Sequence, residues 1–121
     1  MNRKVNGFTL IELLIVTVII AILAAIAIPY MFGTKERAFI ASMRNDLRNL
    51  ETAQEAYYVD YHQYTGTLAD LADLFYASPN VSIALDSASA TGWGATSNHP
   101  GTSAVCNVAV SQTTSGNPVC S

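Results

Sequence analysis

Glu12 stands at the edge of Leu13–Thr34, a segment in which no side chain carries a formal charge. A carboxylate in such a run costs about 3 kcal/mol if it sits at the centre of a bilayer, so it either reaches the interface or has a partner. The other groups capable of chemistry are few. Cys106 and Cys120 are the only cysteines. Behind an N-terminal export signal they would be in an oxidising compartment, where two cysteines most simply form a disulfide. That bond would close a loop of about 15 residues and contribute on the order of 3 kcal/mol by restricting the unfolded chain. The rival reading, a metal site completed by His99, lacks tight ligand spacing. His62 and His99 are isolated and have no nucleophile partner by motif. The sequence has no glycine-rich phosphate loop and no metal-spaced His or Asp cluster. These residues therefore predict no enzyme activity, no cofactor and no metal. Asn80-Val81-Ser82 matches a glycosylation sequon by pattern only.

The elements that must position these groups follow from composition. The chain has 121 residues, half of them apolar, and a net charge of −3. The N-terminal run holds much of the apolar content. The remaining part, roughly 90 residues, can bury only a modest core and gains from a staple or a partner. Beyond the first seven residues the cations are Lys35, Arg37, Arg44 and Arg48 against nine acids, a poor footprint for nucleic acid. Residues 87–121 carry no charged side chain, but Trp93, Val105, Val108 and Val110 give that region apolar anchors, which favours a folded neutral surface over a disordered tail.

Arg3 and Lys4 followed by an apolar run have the outline of a secretory signal, and Ala25-Ile26-Ala27 resembles a cleavage site. As a helix, however, Leu13–Thr34 spans about 33 Å, close to the thickness of a hydrocarbon core and longer than an ordinary signal core. The basic residues would hold the N-terminus in the cytoplasm and send the C-terminus across.

Pro29 should bend or loosen the helix just before it. After Gly33 the pattern is amphipathic: Ile40, Met43, Leu47, Leu50, Gln54, Tyr57 and Tyr61 recur at alternating spacings of three and four. Arg44, Asp46, Arg48, Glu51 and Glu55 fall off that stripe. They read as a solvated face or, more sharply, as groups that pair with neighbouring subunits. The helix is predicted to end between Tyr61 and Tyr64, and Thr67–Asp70 reads as a capping box for a short helix to about Tyr76. Val81, Ile83 and Leu85 alternate, as do Ala104, Cys106, Val108 and Val110, with a middle strand around Trp93 and turns at Gly92 and Pro100-Gly101. Tyr57, Tyr58, Tyr61, Tyr64, Phe75 and Tyr76 read as a packing layer between helix and sheet, or else as a stacking platform. The expected fold class is α+β: a long N-terminal hydrophobic helix packed on a small antiparallel sheet of three strands or more.

"KVNGFTLIELLIVTVIIAILAAIAIP" resembles the N-terminus of type IV pilins and the related pseudopilins. The resemblance covers about residues 1–50 and takes in "MRNDLRNLETAQEAYY"; its most specific element is "GFTLIE". It implies cleavage after Gly7 by a membrane prepilin peptidase and N-methylation of Phe8. It further implies that Glu12 pairs with the Phe8 amino terminus of a neighbour once the apolar segments bundle in a helical filament, and that helical order is often lost just before Pro29. On this reading residues 1–7 are a leader, 8–33 a membrane and filament-core segment, 34–64 the amphipathic continuation and 65–121 the head with its disulfide. The implied function is a non-enzymatic pilus subunit, held in the inner membrane with its head in the periplasm and then exported as an extracellular homopolymer by the pilus assembly machinery. The alternatives are a type II secretion pseudopilin and an unpolymerised membrane-anchored domain. Major pseudopilins commonly carry a calcium loop built from carboxylates, and residues 87–121 contain none.

Overall fold

Between Leu10 and Tyr61 only Pro29 and Gly33 oppose a helix, and a single α-helix, α1 (Leu10–Tyr61), runs through both. The computed structural model describes residues 6–121, with Phe32 described by its backbone alone; the expected leader charges Arg3 and Lys4 lie outside the described residues. Pro29 lacks the amide that would bond the Ala25 carbonyl, a local cost of about 3 kcal/mol. The expected loosening does not interrupt α1, whose backbone is helical on both sides of the proline. The chain divides into two units, one to Lys35 and one from Glu36 to Ser121.

In the second unit, the stripe of α1 makes the core. Met43, Leu47 and Leu50 are fully buried, each worth about 1.5–3 kcal/mol in apolar transfer. They pack in one cluster with Ala53, Tyr64, Leu71, Val81, Trp93, Ala95, Cys106, Val108 and Val110. Ile40 and Tyr57 are partly buried at its margin, whereas Tyr61 at the end of the stripe is exposed. Asp46, expected on the solvated face, is buried: its carboxylate accepts the Ser78 amide at 2.8 Å and the Ser78 hydroxyl at 2.9 Å. It lies three residues after Met43 and four before Leu50, and so shares their face of the helix.

The helix ends where His62 turns into the left-handed region at φ 55°, as residues beyond a helix C-terminus often do. Gln54 then clamps the returning chain. Its amide donates to the Thr65 carbonyl at 2.7 Å, and its carbonyl accepts from the Thr65 N–H at 3.0 Å. The short helix expected from Thr67 is only a 3-10 turn, Leu68–Leu71, and Thr67 makes no side-chain cap. Asp70 instead accepts a hydrogen bond from the Thr65 hydroxyl, so the box lacks its reciprocal partner.

The sheet has four strands, β1 (Ser82–Ala88), β2 (Gly92–Asn98), β3 (Val105–Ser111) and β4 (Val119–Cys120), antiparallel in that order. The fourth is a two-residue strand inside the predicted disulfide loop, too short to show a period of two. In β3, Cys106, Val108 and Val110 face the core. The alternation of β1 stops at an irregularity between Leu85 and Ser87. Gly92 is not a turn residue but opens β2; a Cβ there would lie 2.5 Å from the Val110 carbonyl oxygen. The reversal falls on the preceding residues, where the Ser89 hydroxyl accepts from the Thr91 and Gly92 amides. Among the predicted aromatic layer, Tyr64 is buried and Tyr57, Tyr58 and Phe75 are partly buried, but Tyr76 joins Tyr61 in solvent.

Candidate functional site

At the start of α1 the chain must satisfy amides that no preceding turn can reach. Thr9 and Glu12 do this reciprocally. The Glu12 amide donates to the Thr9 hydroxyl at 3.2 Å. Glu12 Oε2 accepts from the Thr9 amide and from the Thr9 hydroxyl, both at 2.9 Å. This is a capping box. The signal, Thr-x-x-Glu immediately before an apolar run, was available in the sequence, but Thr9 was not among the residues singled out. Both donors use Oε2, which leaves Oε1 available to a further donor.

Gly7, Phe8 and Glu12, with Asn6, line one shallow depression of about 190 Å³. The junction expected to be cut and the carboxylate expected to pair are therefore neighbours. Gly7 is not required by the folded chain itself, since an added Cβ would meet nothing within 4 Å. Pro29 lies about 25 Å further along α1 and takes no part in this arrangement.

From Phe8 to Met31 the large apolar side chains are exposed; Phe8 itself is 90% exposed. The helix contains a stretch long and apolar enough to cross a membrane by length and composition, and none of that stretch is buried. Both threonine hydroxyls on the uncharged run bond the helix itself: Thr17 donates to the Leu14 carbonyl at 2.9 Å and Thr34 to the Tyr30 carbonyl at 3.0 Å. Apolar surroundings thus meet threonines that ask for no outside hydrogen bond, with Glu12 the charged group at the N-terminal edge of the run.

In the other unit Cys106 and Cys120 form a disulfide. They are directly paired across β3 and β4, and the Val105 and Ser121 backbones exchange hydrogen bonds of 2.9 and 3.1 Å beside them. His99 accepts the Gly101 amide through Nδ1 at 2.9 Å and stacks on Phe39 with ring centres 4.1 Å apart. Among the described residues no group of three His, Cys, Asp or Glu side chains could hold a metal ion. Asn80, of the sequon pattern, is exposed in the left-handed region at φ 64°. The Tyr64 hydroxyl donates to Glu55 Oε1 at 2.9 Å. Burial, then that hydrogen bond to a carboxylate, pushes its phenol up to about 12.

The family model for the prokaryotic N-terminal methylation motif matches residues 2–28. The chain is 41% identical over 101 residues to the type IV wide pilus major component of Thermus thermophilus, covering 82% of this chain and 77% of that protein. It is 39% identical over 74 residues to the type II secretion system core protein G of Escherichia coli, covering 61% of this chain and 51% of that protein. Over 64 residues it is 42% identical to the type IV major pilin protein of Myxococcus xanthus, covering 53% of this chain and 29% of that protein. The chain thus spans about half the length of the secretion-system relative and less than a third of the Myxococcus one.

Proposed function

Because this chain belongs to the type IV pilin family, we propose that it is a major pilin, a structural subunit that polymerises through the apolar part of α1. The observation that carries this reading is the exposed apolar surface from Phe8 to Met31, with a carboxylate near its N-terminal end whose Oε1 is open to a neighbour. Exposure of that much apolar side chain to water is untenable, and a membrane or a bundle of like helices removes it.

The subunit waits in the inner membrane with its N-terminus cytoplasmic and its head periplasmic. A prepilin peptidase and methyltransferase cuts after Gly7 and methylates Phe8. The assembly machinery then moves the segment from lipid into an extracellular filament. There the Glu12 carboxylate of one copy meets the Phe8 ammonium of another, and the pair sets axial register. Pro29 weakens one turn of the segment that makes this passage. The segments 1–7, 8–33, 34–64 and 65–121 serve as leader, filament core, bridging helix and head. The subunit is a structural component rather than a catalyst.

A secretion pseudopilin is the second reading, favoured by the similarity to core protein G. The pilin reading is supported by a similarity to the wide-pilus component that extends over more of the chain, by the terminal disulfide, and by residues 87–121 offering no carboxylate for a calcium loop. Electron microscopy of filaments sheared from the cell surface, with mass spectrometry of their subunit, tests the proposal. Long surface filaments built of this chain support it; a chain found only in the membrane, with no surface filament, overturns it.

A further inference from the structure

Two residues beside the expected cleavage junction are of types that cap a helix N-terminus: Asn6 and, three positions on, Thr9. A helix capped by Asn6 would take Gly7 and Phe8 into its first turn, whereas one capped by Thr9 leaves them outside. In the structure α1 starts at Leu10, and the Thr9 carbonyl accepts the Leu13 amide at 3.3 Å. Thr9 is therefore the cap, and Gly7 and Phe8 are exposed and non-helical.

The capping bonds also oppose the earlier start. In a helix longer by one turn, the Ile11 amide would bond the Gly7 carbonyl and the Glu12 amide the Phe8 carbonyl, each four residues back. The Thr9 hydroxyl takes the Glu12 amide instead, at 3.2 Å. Glu12 Oε2 takes the Thr9 amide at 2.9 Å. Among the described residues no backbone amide bonds the Gly7 or the Phe8 carbonyl. The peptide bond between them thus stands free of the helix, at the depression that Asn6, Gly7, Phe8 and Glu12 line.

We propose that Thr9 is a positioning residue for leader cleavage: its hydroxyl fixes the first residue of α1 and so keeps the Gly7–Phe8 peptide outside the helix, where a peptidase can open it. Hydrolysis adds water to the Gly7 carbonyl carbon and breaks its bond to the Phe8 nitrogen, which takes a proton from that water and becomes the new amino terminus. The carbon must be approached from outside the peptide plane and become tetrahedral. In a helical turn the carbonyl is held by an amide and its carbon is enclosed by the neighbouring turn; outside the helix both are open. Thr9 has this role only if the chain is cut after Gly7, as proposed above.

The test is the initial rate of leader removal from the full chain in membranes by a prepilin peptidase, read by intact mass. Thr9→Val keeps the shape of threonine without its hydroxyl and caps poorly; Thr9→Ser and Thr9→Asn change the shape but cap well. Thr9→Val is expected to lower the rate about fivefold or more, and Thr9→Ser and Thr9→Asn to stay within about twofold of the unmodified chain. Carbonyl-carbon chemical shifts of Gly7 and Phe8 in detergent micelles are expected to move towards helical values in Thr9→Val alone. A Thr9→Val chain cut at the normal rate overturns the proposal. So does slow cleavage of Thr9→Val with Gly7 and Phe8 still non-helical, the result expected if the peptidase contacts the hydroxyl itself. Slow cleavage of both Thr9→Ser and Thr9→Asn overturns it too, since the peptidase would then be reading side-chain shape. An unmodified chain that is not cut between Gly7 and Phe8 would sink the processing reading itself, a result separate from these.

Discussion

Thr9 and Glu12 hold the start of α1 by bonds in both directions: the Glu12 amide to the Thr9 hydroxyl, and the Thr9 amide and hydroxyl to Glu12 Oε2. One carboxylate thus serves the helix in the single chain and remains available, through its other oxygen, to a neighbour. The two roles separate by substitution. Thr9→Val removes the hydroxyl cap and is expected to cost about 0.5–2 kcal/mol at the helix start. Glu12→Gln keeps an acceptor for Thr9 but loses the charge, so helix content should hold while filament yield falls. Glu12→Ala loses both, and a neighbour's Phe8 ammonium left buried without its partner costs about 3–5 kcal/mol per site. Filament yield from sheared cells, set against subunit level in the membrane, reads the difference. Normal yield from both Glu12 variants would remove Glu12 from assembly.

Processing is expected to leave a chain that begins at Phe8 and carries one extra methyl group. Gly7→Leu should block this step without disturbing the folded chain, because a Cβ at Gly7 meets nothing within 4 Å. Intact mass measures both. A Gly7→Leu subunit of mature mass would show that the glycine is not read by the peptidase.

Cys106→Ser opens the link between β3 and β4, whose cysteines are 14 residues apart. Membrane insertion should be unchanged, while the head loses roughly 2–4 kcal/mol. Thermal unfolding of the full chain in detergent reports the loss, and two titratable thiols in the unmodified protein under non-reducing conditions would contradict the staple.

Alkali should destabilise the head through Tyr64. Its phenol is pushed up to about 12 from an ordinary 10.0 by burial and by the hydrogen bond to Glu55. Burial first, then the charge of Asp70, moves Tyr57 in the same direction. A raised folded value means that the unfolded chain ionises first. The stabilisation is therefore complete below pH 10 and is lost as the pH climbs through 12. Melting temperatures between pH 9 and 12 should fall less steeply for Tyr64→Phe than for the unmodified chain, and equal slopes would assign the loss to other groups.

The features legible in the residues were those set by short spacings. The uncharged run Leu13–Thr34 demands apolar surroundings whatever lies next to it. The three-and-four recurrence from Ile40 to Tyr57 points those side chains one way on any helix. The alternation from Cys106 to Val110 does the same for a strand. The Thr9–Glu12 cap was written at the same range and could have been read there. What the tertiary structure decided involves groups far apart in sequence. Asp46 is buried because Ser78, 32 residues on, offers both an amide and a hydroxyl to its carboxylate. The box at Thr67 gave way because the Thr65 hydroxyl claims Asp70, while Gln54 holds the backbone of Thr65 from across the helix end. The strand at Val119 exists only as a partner to Asn107 and Cys106. A buried polar group goes where its hydrogen bonds can be met, and for these residues the partners are brought within reach only when the chain has folded.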